Sequence, residues 1–175
     1  MEVDLRKAEN LQQKEIVDFL NKNWMTHDGM WFFHCLEGFG IEATNKLNKS
    51  AIKSLAPIEI ARMKKTLGCE SIENFHEFKA FFAEASNLLI PDFMGGKFTY
   101  PEENKIAWGF HDGECFAHAG IKMLGAIDHY ECGVLYRVKC WLDELGISHR
   151  FSPEIGKCHM HIGGSCSGEI QLFVK

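Results

Sequence analysis

The hydrophobic pattern of this chain changes period near Met94, and this change constrains the fold more than any other feature of the sequence. Before Met94, apolar residues recur at helical spacing; after it, several short stretches are typical of strands. A run of helices followed by strands favours an α+β architecture. At 175 residues the chain has the usual size of one domain. We therefore predict a single domain, with a helical part over residues 1–92 and an α+β part over residues 93–175.

The first predicted helix runs from Ala8 to Gly38, where apolar residues recur close to every third or fourth position. Gly29 interrupts this pattern, so we expect any bend to lie there. Gly38 and Gly40 can take left-handed conformations and are expected to end the helix.

Two more helices are predicted before the change of period. A polar connector leads to the second, over Ser54–Leu67, with Pro57 in its first turn. The third begins near Ser71, the expected N-cap, and ends before Pro91. Together the three helices form the predicted N-terminal helical layer.

The second part is predicted to form an antiparallel sheet of about four strands with two intervening helices. Lys97–Tyr100 and Lys105–Phe110 are typical of a hairpin. The helices are predicted over Cys115–Leu124 and Asp128–Leu145. The remaining strand candidates are Ile147–Phe151, Ile155–Ile162 and Glu169–Val174.

Charge and composition exclude several classes of function. The net charge is −5 and lysines and arginines do not cluster, so we expect no nucleic-acid partner. No stretch approaches the ~20 apolar residues of a membrane span, and the first ten residues do not form an apolar signal. We expect a cytoplasmic protein with seven reduced cysteines. An aromatic content of 12% indicates a small-molecule pocket or an apolar interface, such as that of a homodimer.

Cysteine and histidine are concentrated in the last third of the chain. Of 16 such residues, 11 lie from His111 onward. They are His111, Cys115, His118, His129, Cys132, Cys140, His149, Cys158, His159, His161 and Cys166. The enrichment indicates a thiol or transition-metal site.

The densest segment of this region suggests one metal site. If Gly163-Gly164 forms a hairpin turn, His159, His161 and Cys166 share one face of two strands. Two imidazoles and a thiolate are three of the four ligands that zinc prefers, and they also suit iron. The alternative is that these residues bind no metal and only pack or hydrogen-bond.

Cys115 is the best candidate for a nucleophile. It lies where a strand is predicted to give way to a helix, and helix N-termini lower thiol pKa values. His118 or His111 could then act as the nearby base. Cys132 and Cys140, on the long helix, are expected to pack in the core.

An aromatic and imidazole stripe lies on the first helix. Trp24, His27, Trp31 and His34 recur at spacings that place them near one helical face. Such a stripe could line a ligand pocket. The alternative is that the tryptophans are core residues and the histidines lie on the surface.

The Trp24-Met25-x-His27-Asp28-Gly29-x-Trp31-Phe32-Phe33 segment, with the later order of strand, Cys115 helix, long helix and cysteine-bearing strands, resembles a known group. This is an uncharacterised family of small cytosolic proteins of anaerobic bacteria and archaea, related to L-2-amino-thiazoline-4-carboxylic acid hydrolase-like proteins. The element order is also distantly similar to that of four-vinyl-reductase-type ligand-binding domains. The resemblance implies hydrolase-like ancestry, with thiol chemistry at Cys115.

Three functions follow as hypotheses. The first is a small-molecule hydrolase that uses Cys115 or a bound metal to attack an electrophilic carbon or to activate water. The second is a non-catalytic sensor of a metal or small ligand. The third is a redox protein whose cysteines are cluster ligands.

Overall fold

The computed structural model describes residues 7–110 and 115–174, which form an α+β fold. The helices are α1 (Gln13–Leu67), α2 (Phe75–Leu89), α3 (Phe116–Met123), α4 (Gly133–Glu144) and α5 (His159–Gly163). The strands are β1 (Gly96–Thr99), β2 (Lys105–Phe110), β3 (Ser148–Ser152) and β4 (Cys166–Phe173). Short 3-10 turns lie at Ala8–Asn10, Asp92–Met94 and Ile127–His129.

Helix α1 contains one break, and it lies at Gly40 rather than at Gly29. Gly40 has φ 76° and ψ 171°, which a residue with a side chain rarely adopts. The predicted bend at Gly29 is therefore wrong, whereas Gly40 does take the positive φ expected of a helix-ending glycine.

The polar connector predicted before Ser54 is also wrong, because that segment is helical and Pro57 lies inside α1. A tertiary contact explains why polar residues form helix here. The side chain of Asn45 accepts the backbone N–H of Glu131 and donates to the carbonyl of His129. The spacing of apolar residues cannot predict a helix that is held in place by a buried, hydrogen-bonded polar side chain.

Helix α2 begins later than predicted. Its N-cap is Asn74, whose side chain accepts the backbone N–H of Glu77 at 3.0 Å, so Ser71 is not the cap. The helix buries Phe78 and Phe82, whose rings stack at 5.3 Å.

The four strands form one antiparallel sheet in the order β1-β2-β4-β3, which confirms the predicted architecture. β1 and β2 form the predicted hairpin, and β4 lies between β2 and β3. In the central pair Trp108 faces Gly168 and Phe110 faces Cys166. A side chain at position 168 would meet the Trp108 ring at 2.5 Å, so the glycine makes room for the indole.

The segment predicted as the strand Ile155–Ile162 is not a strand. Its second half is helix α5, and Gly164, at φ 74°, ends that helix by donating its N–H to the Met160 carbonyl at 3.0 Å. A positive φ occurs both in hairpin turns and at helix C-caps. The Gly163-Gly164 pair alone therefore does not distinguish a hairpin from the end of a helix. The hairpin that would place His161 opposite Cys166 does not form.

The N-terminal helix is anchored to α4 by a buried ion pair. Glu59 on α1 binds Arg137 on α4 through both carboxylate oxygens, and it also accepts the indole N–H of Trp141 at 2.7 Å. The Arg137 guanidinium lies 5.0 Å from the Trp24 ring and 5.1 Å from the Trp141 ring. In the described part of the chain, no helix has both the length and the apolar character to cross a membrane.

Candidate metal centre

Four buried cysteines converge from four elements of the fold. Cys115, Cys132 and Cys158 immediately precede α3, α4 and α5, and Cys166 begins β4. Each is no more than 8% exposed, and all four belong to the same hydrophobic core. None of them forms a disulfide.

Local backbone pairing explains how two of these cysteines meet. Glu131 and Lys157 face each other in an isolated antiparallel bridge. The N–H of Cys132 donates to the Gly156 carbonyl at 2.8 Å beside this bridge. Because side chains alternate along extended backbone, Cys132 and Cys158 both point to the opposite side from Glu131 and Lys157.

The sheet brings the other two cysteines to the same place. Cys166 pairs with Phe110 at the end of β2, and Cys115, directly before α3, interacts electrostatically with Cys166. Helix α5 runs into β4 through Gly164, which joins Cys158 to Cys166 over a short distance along the chain.

Electrostatic coupling connects all six pairs of the four thiols. A negative charge on Cys158 raises the pKa of Cys115. Charges on Cys115 and Cys158 raise the pKa of Cys132. Charges on all three of these residues raise the pKa of Cys166. Burial is the largest cause of each increase. It contributes to raising the pKa of Cys132 to about 11 and that of Cys166 to about 12.

Backbone and side-chain N–H groups partly oppose this effect. Those of Ala117 and His118 favour the thiolate of Cys115, and those of Val134 and Leu135 favour the thiolate of Cys132. The indole N–H of Trp108 does the same for Cys166. Donors of this kind stabilise sulfur ligands once a metal has displaced the protons.

Among the described residues, no three His, Cys, Asp or Glu side chains converge closely enough to hold one metal ion. The sulfur atoms of four thiolates bound to one zinc ion lie about 3.8 Å from one another, because the site is tetrahedral and the Zn–S distance is about 2.3 Å. Iron–sulfur clusters are also held by four thiolates, but in a [4Fe–4S] cluster each thiolate binds a different iron. The ligands of a cluster therefore spread over a wider cavity than those of a single ion.

The structure does not assemble the predicted set of His159, His161 and Cys166. The Nε2 atom of His161 lies 2.7 Å from the Asp128 carboxylate. The Nε2 atom of His159 is buried without a hydrogen-bond partner within the described residues. Only Cys166 joins the cysteine group, because α5 replaces the strand on which the prediction depended.

The predicted nucleophile lies in the cysteine group rather than in an exposed cleft. Cys115 is 6% exposed and burial raises its pKa, so its thiol is protonated at neutral pH. Burial, Lys122 and His161 lower the pKa of His118. His111 lies outside the described residues.

The four residues of the N-terminal stripe have separate surroundings. Trp24 stacks on Arg137, the indole N–H of Trp31 donates to His27 at 3.3 Å, and His34 lies 3.2 Å from Glu37. A groove of about 530 Å³ lies elsewhere and is lined by Ile41, Glu42, Asn45, His129, Glu131, Gly156 and Lys157. The ligand pocket at the stripe stays a prediction.

Sequence reasoning missed two members of the cysteine group. It assigned Cys132 to the core and placed Cys158 on the face away from Cys166. The structure places Cys115, Cys132 and Cys158 each directly before a helix, a position that the sequence analysis predicted only for Cys115. Backbone N–H groups are free at the first turn of a helix and can point at sulfur.

We expect the metal-free protein to lose stability in alkali. An exposed thiol has a pKa of about 9, against about 11 for Cys132 and 12 for Cys166. Above pH 9 the unfolded chain therefore binds fewer protons than the folded chain, and stability falls as pH rises. Urea unfolding should give a free energy lower by about 2 kcal/mol for each of the two thiols, or about 4 kcal/mol together, at about pH 10.5 than at about pH 8. An equal fall in the C132A/C166A double variant would contradict the assignment to these thiols.

Residues 4–82 match the model of a family of unknown function, DUF6125. The match covers less than half of the chain, namely α1 and part of α2, and the four cysteines lie outside it. No curated protein and no solved structure matches the chain.

Proposed function

We propose that this chain is an iron–sulfur protein whose Cys115, Cys132, Cys158 and Cys166 bind one [4Fe–4S] cluster. The observation that carries the proposal is the convergence of four buried, mutually interacting thiols from four different elements. Four cysteine ligands leave each iron with one protein sulfur and three cluster sulfides. The cluster then exchanges single electrons with a one-electron donor and acceptor, and no protein bond forms or breaks.

The surroundings of Cys115 support a cluster ligand over a cysteine nucleophile. A nucleophilic cysteine needs a lowered pKa and access to substrate, and Cys115 has neither property. Burial and backbone N–H donors suit a cluster ligand, because both act on the reduction potential of a cluster, and Cys115 has both. The hydrolase hypothesis, and the relation to thiazoline-carboxylate hydrolases that suggested it, stay predictions.

The metal-sensor hypothesis shares these ligands and differs in what the metal does. A sensor would bind zinc or another single ion in a closed site, whereas the proposed protein cycles between two oxidation states. A reducing cytoplasm, which we also propose, keeps the cysteines available for either. A small-molecule ligand and a homodimer stay predictions.

Reconstitution under anaerobic conditions tests the proposal. The purified chain, without a histidine tag, is incubated with ferrous iron and sulfide and then desalted. We expect about four irons and four acid-labile sulfides per chain. Visible absorption should bleach with dithionite, and the reduced sample should give the electron paramagnetic resonance signal of a single cluster. Stoichiometric zinc in place of iron, or no retained metal, would contradict the proposal.

A further inference from the structure

Trp108 occupies a restricted position beside Cys166. It is 3% exposed on β2, directly opposite Gly168 on β4. A methyl group on Gly168 would lie 2.5 Å from two carbons of the indole and 2.4 Å from the Ser152 carbonyl oxygen. The ring of Phe151 covers the indole from another side, with 5.6 Å between ring centroids. The indole is therefore held in place by packing.

The strand register directs this indole toward Cys166. Trp108 pairs with Gly168, and Phe110 pairs with Cys166, two residues further along each strand. Alternate residues of a strand share a face, so Trp108 and Cys166 are diagonal neighbours on one face of the sheet. Such neighbours lie about 7–8 Å apart at Cα, within reach of an aromatic side chain.

The indole N–H lacks an ordinary partner. Its nitrogen is buried, and no acceptor in the described residues meets hydrogen-bond geometry. A buried donor left without an acceptor costs about 1–3 kcal/mol. The Cys166 sulfur is the group on which this N–H acts electrostatically. A thiol is a weak acceptor, whereas a metal-bound thiolate is a charged and stronger one.

We infer, on the basis of the proposed cluster, that Trp108 is a positioning residue whose indole N–H hydrogen-bonds the Cys166 sulfur and stabilises the reduced cluster. Reduction adds one electron, supplied by dithionite in the test, and makes the cluster more negative. A hydrogen bond to a ligand sulfur strengthens as that charge grows, which favours the reduced form. The hydrogen bond thus sets the reduction potential without taking part in electron transfer.

Potentiometry of the cluster-loaded Trp108→Phe variant tests the inference. We expect the equilibrium constant for reduction to fall about tenfold, which is a shift of about 59 mV to lower potential for one electron. Trp141→Phe is the control, because the N–H of that buried tryptophan binds Glu59. A potential unchanged by Trp108→Phe, or an equal shift in both variants, would overturn the inference while leaving the cluster itself established.

Two further measurements test the inference if the Trp108→Phe variant does not fold or if the protein does not take up a cluster. In loaded wild-type protein with indole-15N tryptophan, pulsed resonance of the reduced cluster should show coupling to one 15N nucleus. In metal-free protein, Cys166→Ala should change the chemical shift of the Trp108 indole N–H, because Cys166 is its neighbour on the same face of the sheet, and Cys140→Ala should not. Absence of the coupling overturns the hydrogen bond, and an unchanged chemical shift in Cys166→Ala overturns the proximity of the indole to Cys166 on which the hydrogen bond depends. Failure of the wild type to retain iron contradicts only the proposed function.

Discussion

Cys132→Ser is expected to abolish stable cluster binding, reducing retained iron from about four atoms per chain to fewer than about 0.4. Serine is nearly the same size as cysteine, but its hydroxyl does not ionise at neutral pH and is a poor ligand for iron. Cys132 is the most informative of the four positions, because its local sequence predicts only a core residue. Iron and sulfide analysis after anaerobic reconstitution measures the effect.

Cys140→Ser is the matched control for this substitution. Cys140 is 5% exposed on α4, the same helix that Cys132 precedes. Its pKa is raised by burial, with Tyr136, Asp143, Lys139 and Lys53 as further neighbours, and no other cysteine contributes. The control variant should retain about four irons. If both variants lose iron equally, general destabilisation explains the loss and Cys132 is not a ligand.

The fold could be predicted where local pattern and packing agree. The hairpin of β1 and β2 and the strands near Phe151 and Ile170 have sequence signals that match their burial in the sheet. The prediction was wrong where tertiary contacts decide. Asn45 has a polar side chain, yet it is buried and hydrogen-bonds to the backbone of His129 and Glu131. The segment around it, predicted to be a polar connector, is therefore part of a packed helix.

The candidate site could be predicted only in part. Enrichment in cysteine located the region, and the sequence singled out Cys115 as a nucleophile and Cys166 as a metal ligand beside two histidines. The convergence of Cys132 with Cys158 depends on the Glu131–Lys157 bridge, a contact between segments far apart in the chain. No periodicity within either segment encodes that contact, and the short helix α5 removed the histidines from the predicted face.

The N-terminal motif illustrates how a functional interpretation and a packing interpretation can share residues. Trp24 lies over Arg137, and the charge of Arg137 also acts on Asp28. Partial removal from water raises the pKa of Asp28, and Arg137 opposes that rise. These contacts join the first segment of α1 to the buried pair of Glu59 and Arg137. This pair is therefore where α1 and α4 should be most sensitive to substitution.

Glu59→Gln is expected to lower the free energy of unfolding by about 3 kcal/mol. Glu59 is 7% exposed, and its carboxylate binds both Arg137 and the Trp141 indole. Removing its charge leaves the Arg137 guanidinium, whose side chain is 19% exposed, without the carboxylate that it binds directly, and the charge of Asp28 compensates for this only in part. Neutralising one member of a buried pair costs more than the pair contributes, because the remaining charge stays desolvated. Urea denaturation of the metal-free protein measures the change.

Asp143→Asn provides the comparison on the same helix. Asp143 pairs with Lys139 at 2.6 Å, but both side chains are about half exposed, at 52% and 41%. Water and salt screen such a pair, so its loss should cost no more than about 0.5 kcal/mol. Added salt should reduce the Asp143 effect and leave the Glu59 effect nearly unchanged, because buried charges are screened less. Equal costs for the two substitutions would show that the pair of Glu59 and Arg137 behaves as a surface pair and does not anchor α1 to α4.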